Sequence, residues 1–329
     1  MSKVETLRGP VDTTALGKVL IHEHIFLMDM EYTYNYRPDF FEDQTIADAA
    51  ARLNALKASG VDTIIDLTVL GLGRHVPSLA KVAPLTDLNI VISTGAYTFD
   101  AVPGPFAFHG PGLLLDGPEP MVDLFVRDIT EGVGGTALKA GELKCAIDMQ
   151  GLRPGVERIM RAVARANVLT GVPITVHTTP QAETGLIAQR VLSEEGVNLE
   201  DVTIGHCGDS KDIDYLMRLA DKGSLLGMDR FGVEFAITME ERVATIAEMV
   251  RRGYVGSLAL SHDCCAWSDF FPKVSDYHAA MPRHHYLHIH DDVIPALREA
   301  DLSERDLDTM FIDNPRRHFE SAARHFSER

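Results

Sequence analysis

Apolar runs that end on ionisable side chains recur along this chain at intervals of one strand-plus-helix unit. That recurrence narrows the fold more than any other feature. The runs are Val19-Leu20-Ile21 before His22-Glu23-His24, the stretch 142–147 around Lys144, 173–177 ending on His177, 202–206 ending on His206, and 258–263 ending on Asp263. Lys144 to His177 is 33 residues, His177 to His206 is 29, and His206 to Asp263 is 57. An eight-unit strand–helix barrel of roughly 250 residues uses about 31 residues per unit, so these steps read as one unit, one unit and two. The expected fold is a (β/α)8 barrel with His22 and His24 on strand 1, Lys144 on strand 4, His177 on strand 5, His206 on strand 6 and Asp263 on strand 8. Barrel chemistry is carried by side chains at the C-terminal ends of the strands, where these residues fall.

Side chains on a strand alternate faces, so His22 and His24 project together while Glu23 points the other way. Two imidazoles on one side of a strand end form half of a site for zinc or a similar divalent ion. Taken alone the triplet could be chance; the matching strand ends make it part of a constellation of four histidines, a lysine and an aspartate. Lysine is unusual there because an ammonium repels metal ions. Two readings stay open: a lysine salt-bridged beneath the site, or one whose neutral amine combines with carbon dioxide to give an anionic carbamate that bridges two metals. Burial lowers a lysine pKa, which makes the neutral amine accessible.

The remaining pattern fits one barrel domain over 1–329. Strand 1 is expected over 18–22, strand 2 over 63–67, strand 3 over 89–94 and strand 7 over 224–228, with helices over 45–58, 78–83, 121–130, 156–169, 184–195, 211–222 and 239–252 between them. Long loops follow strand 1 (through Tyr32 to Phe41), strand 3 (the Gly- and Pro-rich 102–120) and strand 8 (264–286), on the face where loops build substrate pockets. The formal net charge of −17 excludes a nucleic-acid partner, which needs a basic stripe. The N-terminal residues lack the apolar core of a signal peptide and no stretch is apolar enough to span a bilayer, so the expectation is a cytoplasmic protein with no membrane partner. Cys145, Cys207, Cys264 and Cys265 read as small buried residues rather than disulfides. Cys265 is expected to line the pocket. The dense cluster His284-His285-Tyr286-Leu287-His288-Ile289-His290 is expected to be structural or exposed, as are the loop residues His75 and His109, and His262 is expected to face away from Asp263.

The segments Gly17-Lys-Val-Leu-Ile-His-Glu-His24, Gly141-Glu-Leu-Lys144, Pro173-Ile-Thr-Val-His177, Gly205-His206, Gly227-Met-Asp-Arg230, Ser261-His-Asp263 and Asp313-Asn-Pro-Arg-Arg317 resemble the phosphotriesterase family of the amidohydrolase superfamily, and most closely its phosphotriesterase-like lactonases. The resemblance runs from Gly9 to the end of the chain. It implies two divalent ions, zinc first, with cobalt, manganese or iron as alternatives. His22, His24 and Asp263 would hold the more buried ion, His177 and His206 the more exposed one, and carboxylated Lys144 would bridge them together with a hydroxide that attacks the substrate. Asp263 would handle the proton. Tyr97 and Arg230 occupy the places of the family's tyrosine after strand 3 and arginine after strand 7, which approach the substrate. Trp267, Phe270 and Phe271 look like a lactonase's acyl channel, with Trp267 and Cys265 as substrate contacts. The implied activity is opening of lactones, including N-acyl homoserine lactones, with side activity on organophosphate triesters. A dedicated phosphotriesterase or another carboxylic ester hydrolase is the alternative, and a non-catalytic metal- and ligand-binding barrel a remote one. The resemblance also implies a homodimer.

Overall fold

The computed structural model describes residues 2–235, 237–271 and 274–328. The expected domain over 1–329 and loop over 264–286 also include Met1, Ala236, Pro272, Lys273 and Arg329, which lie outside the described residues. The fold is a (β/α)8 barrel. Its parallel strands run in sequence order: β1 (Val19–Leu27), β2 (Thr63–Asp66), β3 (Asn89–Gly95), β4 (Glu142–Ala146), β5 (Ile174–His177), β6 (Val202–Ile204), β7 (Leu225–Met228) and β8 (Leu258–Leu260). A ninth strand, β9 (Cys265–Ser268), follows β8 directly and pairs parallel with β1, Cys265 opposite His24. One segment therefore bonds β7 with its first half and β1 with its second, and this closes the sheet: Asp263 N–H donates to the His22 carbonyl (3.0 Å) and His24 N–H to the Cys264 carbonyl (2.8 Å).

The strands are buried along almost their whole length, as a sheet covered on both faces requires, which is why they read as continuous apolar runs. The covering helices show the complementary stripe. In the helix Pro154–Thr170, Val156, Ile159, Met160, Val163 and Ala166 are buried at helical spacing, with Pro154 in the first turn and left-handed Gly171 ending it. Truncating Met160 to alanine there would cost about 2–5 kcal/mol. The helix Met239–Arg251 begins with a reciprocal capping box between Thr238 and Glu241.

The two ends of the barrel differ in content. Val19, Ile21, Ile65, Val91, Leu225 and Ala259 form an apolar cluster with Val4, Leu16 and Phe319, so the N-terminal hairpin (Lys3–Thr6 with Gly9–Asp12) and the last helix (Asn314–Ser327) plug the end where the strands begin. Toward the other end β1 breaks register: Leu20 faces Ile64, but Glu23 faces Asp66. The extra residue re-aims the strand, as bulges near functional sites do. Ile21 joins the plug, while His22 and His24 line the cavity beyond it.

Most expected boundaries shift by one or two residues, and three regions depart further. β1 extends to Leu27 instead of ending at His22. The loop after it holds a short helix, Met30–Tyr36, capped by the Asp29 side chain on the Tyr32 N–H. The expected loop after strand 8 contains β9 and the helix Val274–Ala280. Among the described residues no helix is long and apolar enough to cross a membrane.

Candidate metal centre

A cavity of about 400 Å3 opens at the C-terminal ends of the strands, with His22, His24, Lys144, His177, His206, Asp263, Tyr97 and Arg230 in its wall. His22, His24 and Lys144 come from within β1 and β4, His177 ends β5, and Tyr97, His206, Arg230 and Asp263 follow β3, β6, β7 and β8 by two or three residues. Gly95, at the end of β3, is left-handed at φ 135°, and a Cβ there would lie 1.9 Å from the Lys144 carbonyl oxygen, so only glycine lets β3 approach β4 at the lysine. His206 and Asp263 also have positive φ, 62° and 58°. Such sparsely populated backbone in non-glycine residues concentrates at functional sites.

The donor atoms converge. His24 Nε2 lies 3.1 Å and His22 Nε2 3.4 Å from Asp263 Oδ1. His206 Nε2 lies 2.8 Å from His177 Nδ1, and the His22 and His206 rings stack at 5.0 Å. Lys144 Nζ lies 3.3 Å from His22 Nε2. Among the described residues no carboxylate lies within ion-pair distance of that amine, so the reading of Lys144 as salt-bridged beneath the site does not hold.

Every one of the four imidazoles is anchored through its other nitrogen. Asp229, fully buried at the end of β7, receives His22 Nδ1–H (2.7 Å) and His206 Nδ1–H (3.0 Å) on its two oxygens. It tucks back against Gly227, where a Cβ would sit 2.6 Å from its Oδ2. His24 Nδ1 pairs with Thr68 Oγ1 at 2.8 Å, and Thr68 in turn bonds Asp66. His177 Nε2–H donates to Asp148 Oδ2 (3.1 Å). A carboxylate only accepts, so these bonds fix the proton on the anchored nitrogen of His22, His206 and His177 and leave the opposite nitrogen as a lone-pair donor facing the cavity. Burial lowers the pKa of His22, takes His177 down to about 4 and holds His206 well below its ordinary value, so all three are neutral near pH 7. Burial alone would raise Asp229, but the two imidazoles it joins hold it well below the usual carboxylate range. Burial brings the Lys144 amine down to about 8. Neutral imidazoles, a carboxylate and a depressed amine sharing one cavity are a donor set that fits divalent metal ions. Among the described residues the donor groups close enough to share an ion are His22, His24 and Asp263, and His22, His206 and Asp229; in the second, Asp229 is already occupied by the two Nδ1–H groups.

Tyr97 and Arg230 stand over these donors. The Tyr97 hydroxyl is 3.5 Å from His177 Nδ1, and burial pushes its pKa up, so it remains an O–H. Arg230 Nε donates to Asp263 Oδ2 (3.1 Å) and its Nη1 to Asp209 Oδ2 (3.0 Å). Asp209 is paired in turn with buried Arg242 at 2.7 Å. Burial opposes the Arg230 charge, but the Asp263 and Asp209 carboxylates more than offset it and raise its pKa.

Two expected substrate contacts are corrected. Cys265 and Trp267 do not line this cavity; they face a separate small one shared with Arg52, Phe271 and Tyr277. The stretch that carries them is strand β9, and its side chains turn toward the helix Asp43–Ala58. The Trp267 ring packs 4.7 Å from Phe40 with the Arg37 guanidinium over it at 4.9 Å. Of the expected channel aromatics, Phe270 does reach the site, beside Leu27, Leu72 and Phe99. The histidine cluster stands apart: His284 bonds Tyr277 and the His262 carbonyl, and His288 pairs with Asp292. His262 faces away from the cavity and bonds Glu23. Sequence reasoning missed Asp229, Thr68, Asp148 and Asp209 as anchors. All four lie at or just past strand ends, the signal that found the others.

The sequence model of the phosphotriesterase family matches residues 2–319. The phosphotriesterase homology protein of Mycobacterium tuberculosis is 53% identical over 322 residues, 97% of this chain and 98% of that protein. The aryldialkylphosphatase of Saccharolobus solfataricus is 35% identical, covering 95% of this chain and 98% of its own length. A solved structure described as the phosphotriesterase from Mycobacterium tuberculosis superposes with a TM-score of 0.94 at 52% identity, covering 97% and 98% of the two chains.

Proposed function

The chain belongs to the phosphotriesterase family, and from that premise we propose that it is a hydrolase with two divalent metal ions that opens lactones, including N-acyl homoserine lactones, and hydrolyses organophosphate triesters as a side activity. One observation carries the reading: four anchored imidazoles, Asp263 and an amine-bearing Lys144 turn their donor atoms into a single cavity. His22, His24 and Asp263 would hold one ion, and His177 and His206 the other. Lys144 would join them as a carbamate, for which its depressed pKa supplies the neutral amine. Bound there, zinc or a similar ion lowers the pKa of water and polarises the substrate oxygen.

The chain's own residues supply the rest. The Tyr97 O–H and the Arg230 guanidinium stand where a carbonyl or phosphoryl oxygen would gain charge, and fixed donors aimed at such charge are strong contributors to rate. Water adds to the lactone carbonyl carbon and the ring C–O bond breaks. Asp263 takes the proton from the attacking water and returns it to the departing ring oxygen. Leu27, Leu72, Phe99 and Phe270 give the cavity an apolar wall that suits an acyl chain, which favours the lactone reading. The 35% identity to an aryldialkylphosphatase favours a dedicated triesterase as the second reading. In the leading reading the enzyme is a cytoplasmic homodimer acting on small molecules. Four unpaired cysteines suit a reducing compartment, and exposed Tyr34, Tyr36 and Phe41 offer a surface that suits a second copy.

A panel of N-acyl homoserine lactones of increasing chain length, assayed beside aryl dialkyl phosphates, tests this. The expected result is a higher kcat/KM for lactones, rising with acyl length; a clear triester preference establishes the second reading instead.

A further inference from the structure

Glu23, the middle residue of the His22-Glu23-His24 triplet, points away from the cavity and is fully buried. Both of its carboxylate oxygens accept hydrogen bonds. Oε1 accepts from Ser261 Oγ (2.8 Å), His262 N–H (2.9 Å) and His262 Nδ1–H (2.7 Å), and Oε2 accepts from Cys264 N–H (2.9 Å). Three of those donors converge on Oε1 and one meets Oε2, so both oxygens are held. They come from residues 261, 262 and 264, and the one skipped is Asp263, whose φ of 58° turns its side chain the other way, to 3.1 Å from His24 Nε2. The turn is tied on its far side too: Ile289 N–H donates to His262 Nε2 (3.1 Å), and His284 Nε2–H donates to the His262 carbonyl (2.8 Å).

We propose that Glu23 is a positioning residue: its carboxylate templates the left-handed turn that presents Asp263, so one triplet supplies two donors from one face of β1 and sets the third from the other. A residue with a side chain enters the left-handed region rarely, and here the buried acceptor on the adjacent strand over-determines it. The turn is thus organised by the protein before any ion arrives. The inference rests on the proposed metal centre for its use, but not for its geometry.

Amide hydrogen exchange on the metal-free wild-type protein tests the template directly. The expected result is that His262 and Cys264 N–H are as protected as the β8 amides without metal. Fast exchange at both, slowing only when Zn2+ is added, would show that the ion organises the turn and would overturn the proposal. Glu23→Gln supplies the second arm. Its amide can replace Oε1, but sets an NH2 against Cys264 N–H, so the turn loses one fixed point with little change in volume. Co2+ titration of the metal-free variant should show one of two binding steps weakened by roughly 10–100-fold, the usual effect of losing an outer partner, with the other unchanged and the spectrum of the weakened site altered. Binding of both ions as in wild type would overturn the proposal. Were the wild type to bind no Co2+, the metal-centre reading would fail, and the exchange experiment would still decide on the template.

Discussion

Two sets of buried histidines, one in the cavity wall and one behind the turn after strand 8, do opposite things. His22, His24, His177 and His206 each spend one nitrogen on an anchor and turn the other into a shared cavity. His262 and His284 spend both nitrogens on hydrogen bonds, to Glu23 and the Ile289 N–H in one case and to Tyr277 and a backbone carbonyl in the other. Burial and residue type are the same; what differs is the destination of the second nitrogen. An imidazole becomes a candidate ligand when its anchor fixes the tautomer and leaves a lone pair facing other lone pairs. Histidine density along the sequence, highest over 284–290, does not track that condition.

Substitutions in the two sets are expected to differ in size and kind. The largest effect is expected for Lys144→Ala. It removes the group proposed to join the two histidine pairs, and losing several kcal/mol of barrier lowering corresponds to roughly 1,000-fold or more in kcat/KM. Short carboxylic acids should restore part of the rate by taking the place of the proposed carbamate, while full activity in their absence would remove Lys144 from the site. Asp229→Asn comes next. An asparagine cannot accept both Nδ1–H groups, so His22 and His206 lose the bond that fixes their tautomers, and metal affinity should fall roughly 10–100-fold in competition with a chromogenic chelator. The smallest effect, and of another kind, is expected from the contrasting set. His284→Leu leaves the Tyr277 hydroxyl and the His262 carbonyl to find other partners, at a cost of about 1–3 kcal/mol in chemical denaturation, while the metal content per chain stays at the wild-type value. A His284→Leu protein of full stability that has lost its metal would reverse the assignment of the two sets.

Much of this was legible in the sequence because a barrel repeats. The step from Lys144 to His177 to His206 to Asp263 exposes the unit length, and the alternation of His22 and His24 exposes their common face. The less legible parts are those where local geometry departs from the repeat. The extra residue between Leu20 and Glu23 in β1 leaves no mark in hydrophobic pattern, yet it puts Ile21 in the plug and His22 beside it in the cavity. The stretch after Asp263 reads as a loop, but the edge of β1 is open there and draws residues 265–268 into a ninth strand. This turns Cys265 and Trp267 toward the outer helices and leaves Phe270 to reach the site. The anchors Thr68, Asp148 and Asp229 carry the strand-end signal in the sequence. Their role depends on which ring nitrogen they meet, a matter of tertiary contact alone.

The four anchored histidines, with Lys144 and Asp263, are proposed to hold two ions, and the neighbouring histidine cluster none. Crystals of the zinc-loaded protein, measured on both sides of the zinc absorption edge, address it in one anomalous difference map. Two strong peaks are expected, one beside His22, His24 and Asp263 and one beside His177 and His206, with no peak over 284–290. A single peak, an empty cavity, or zinc at His284 and His288 would contradict it.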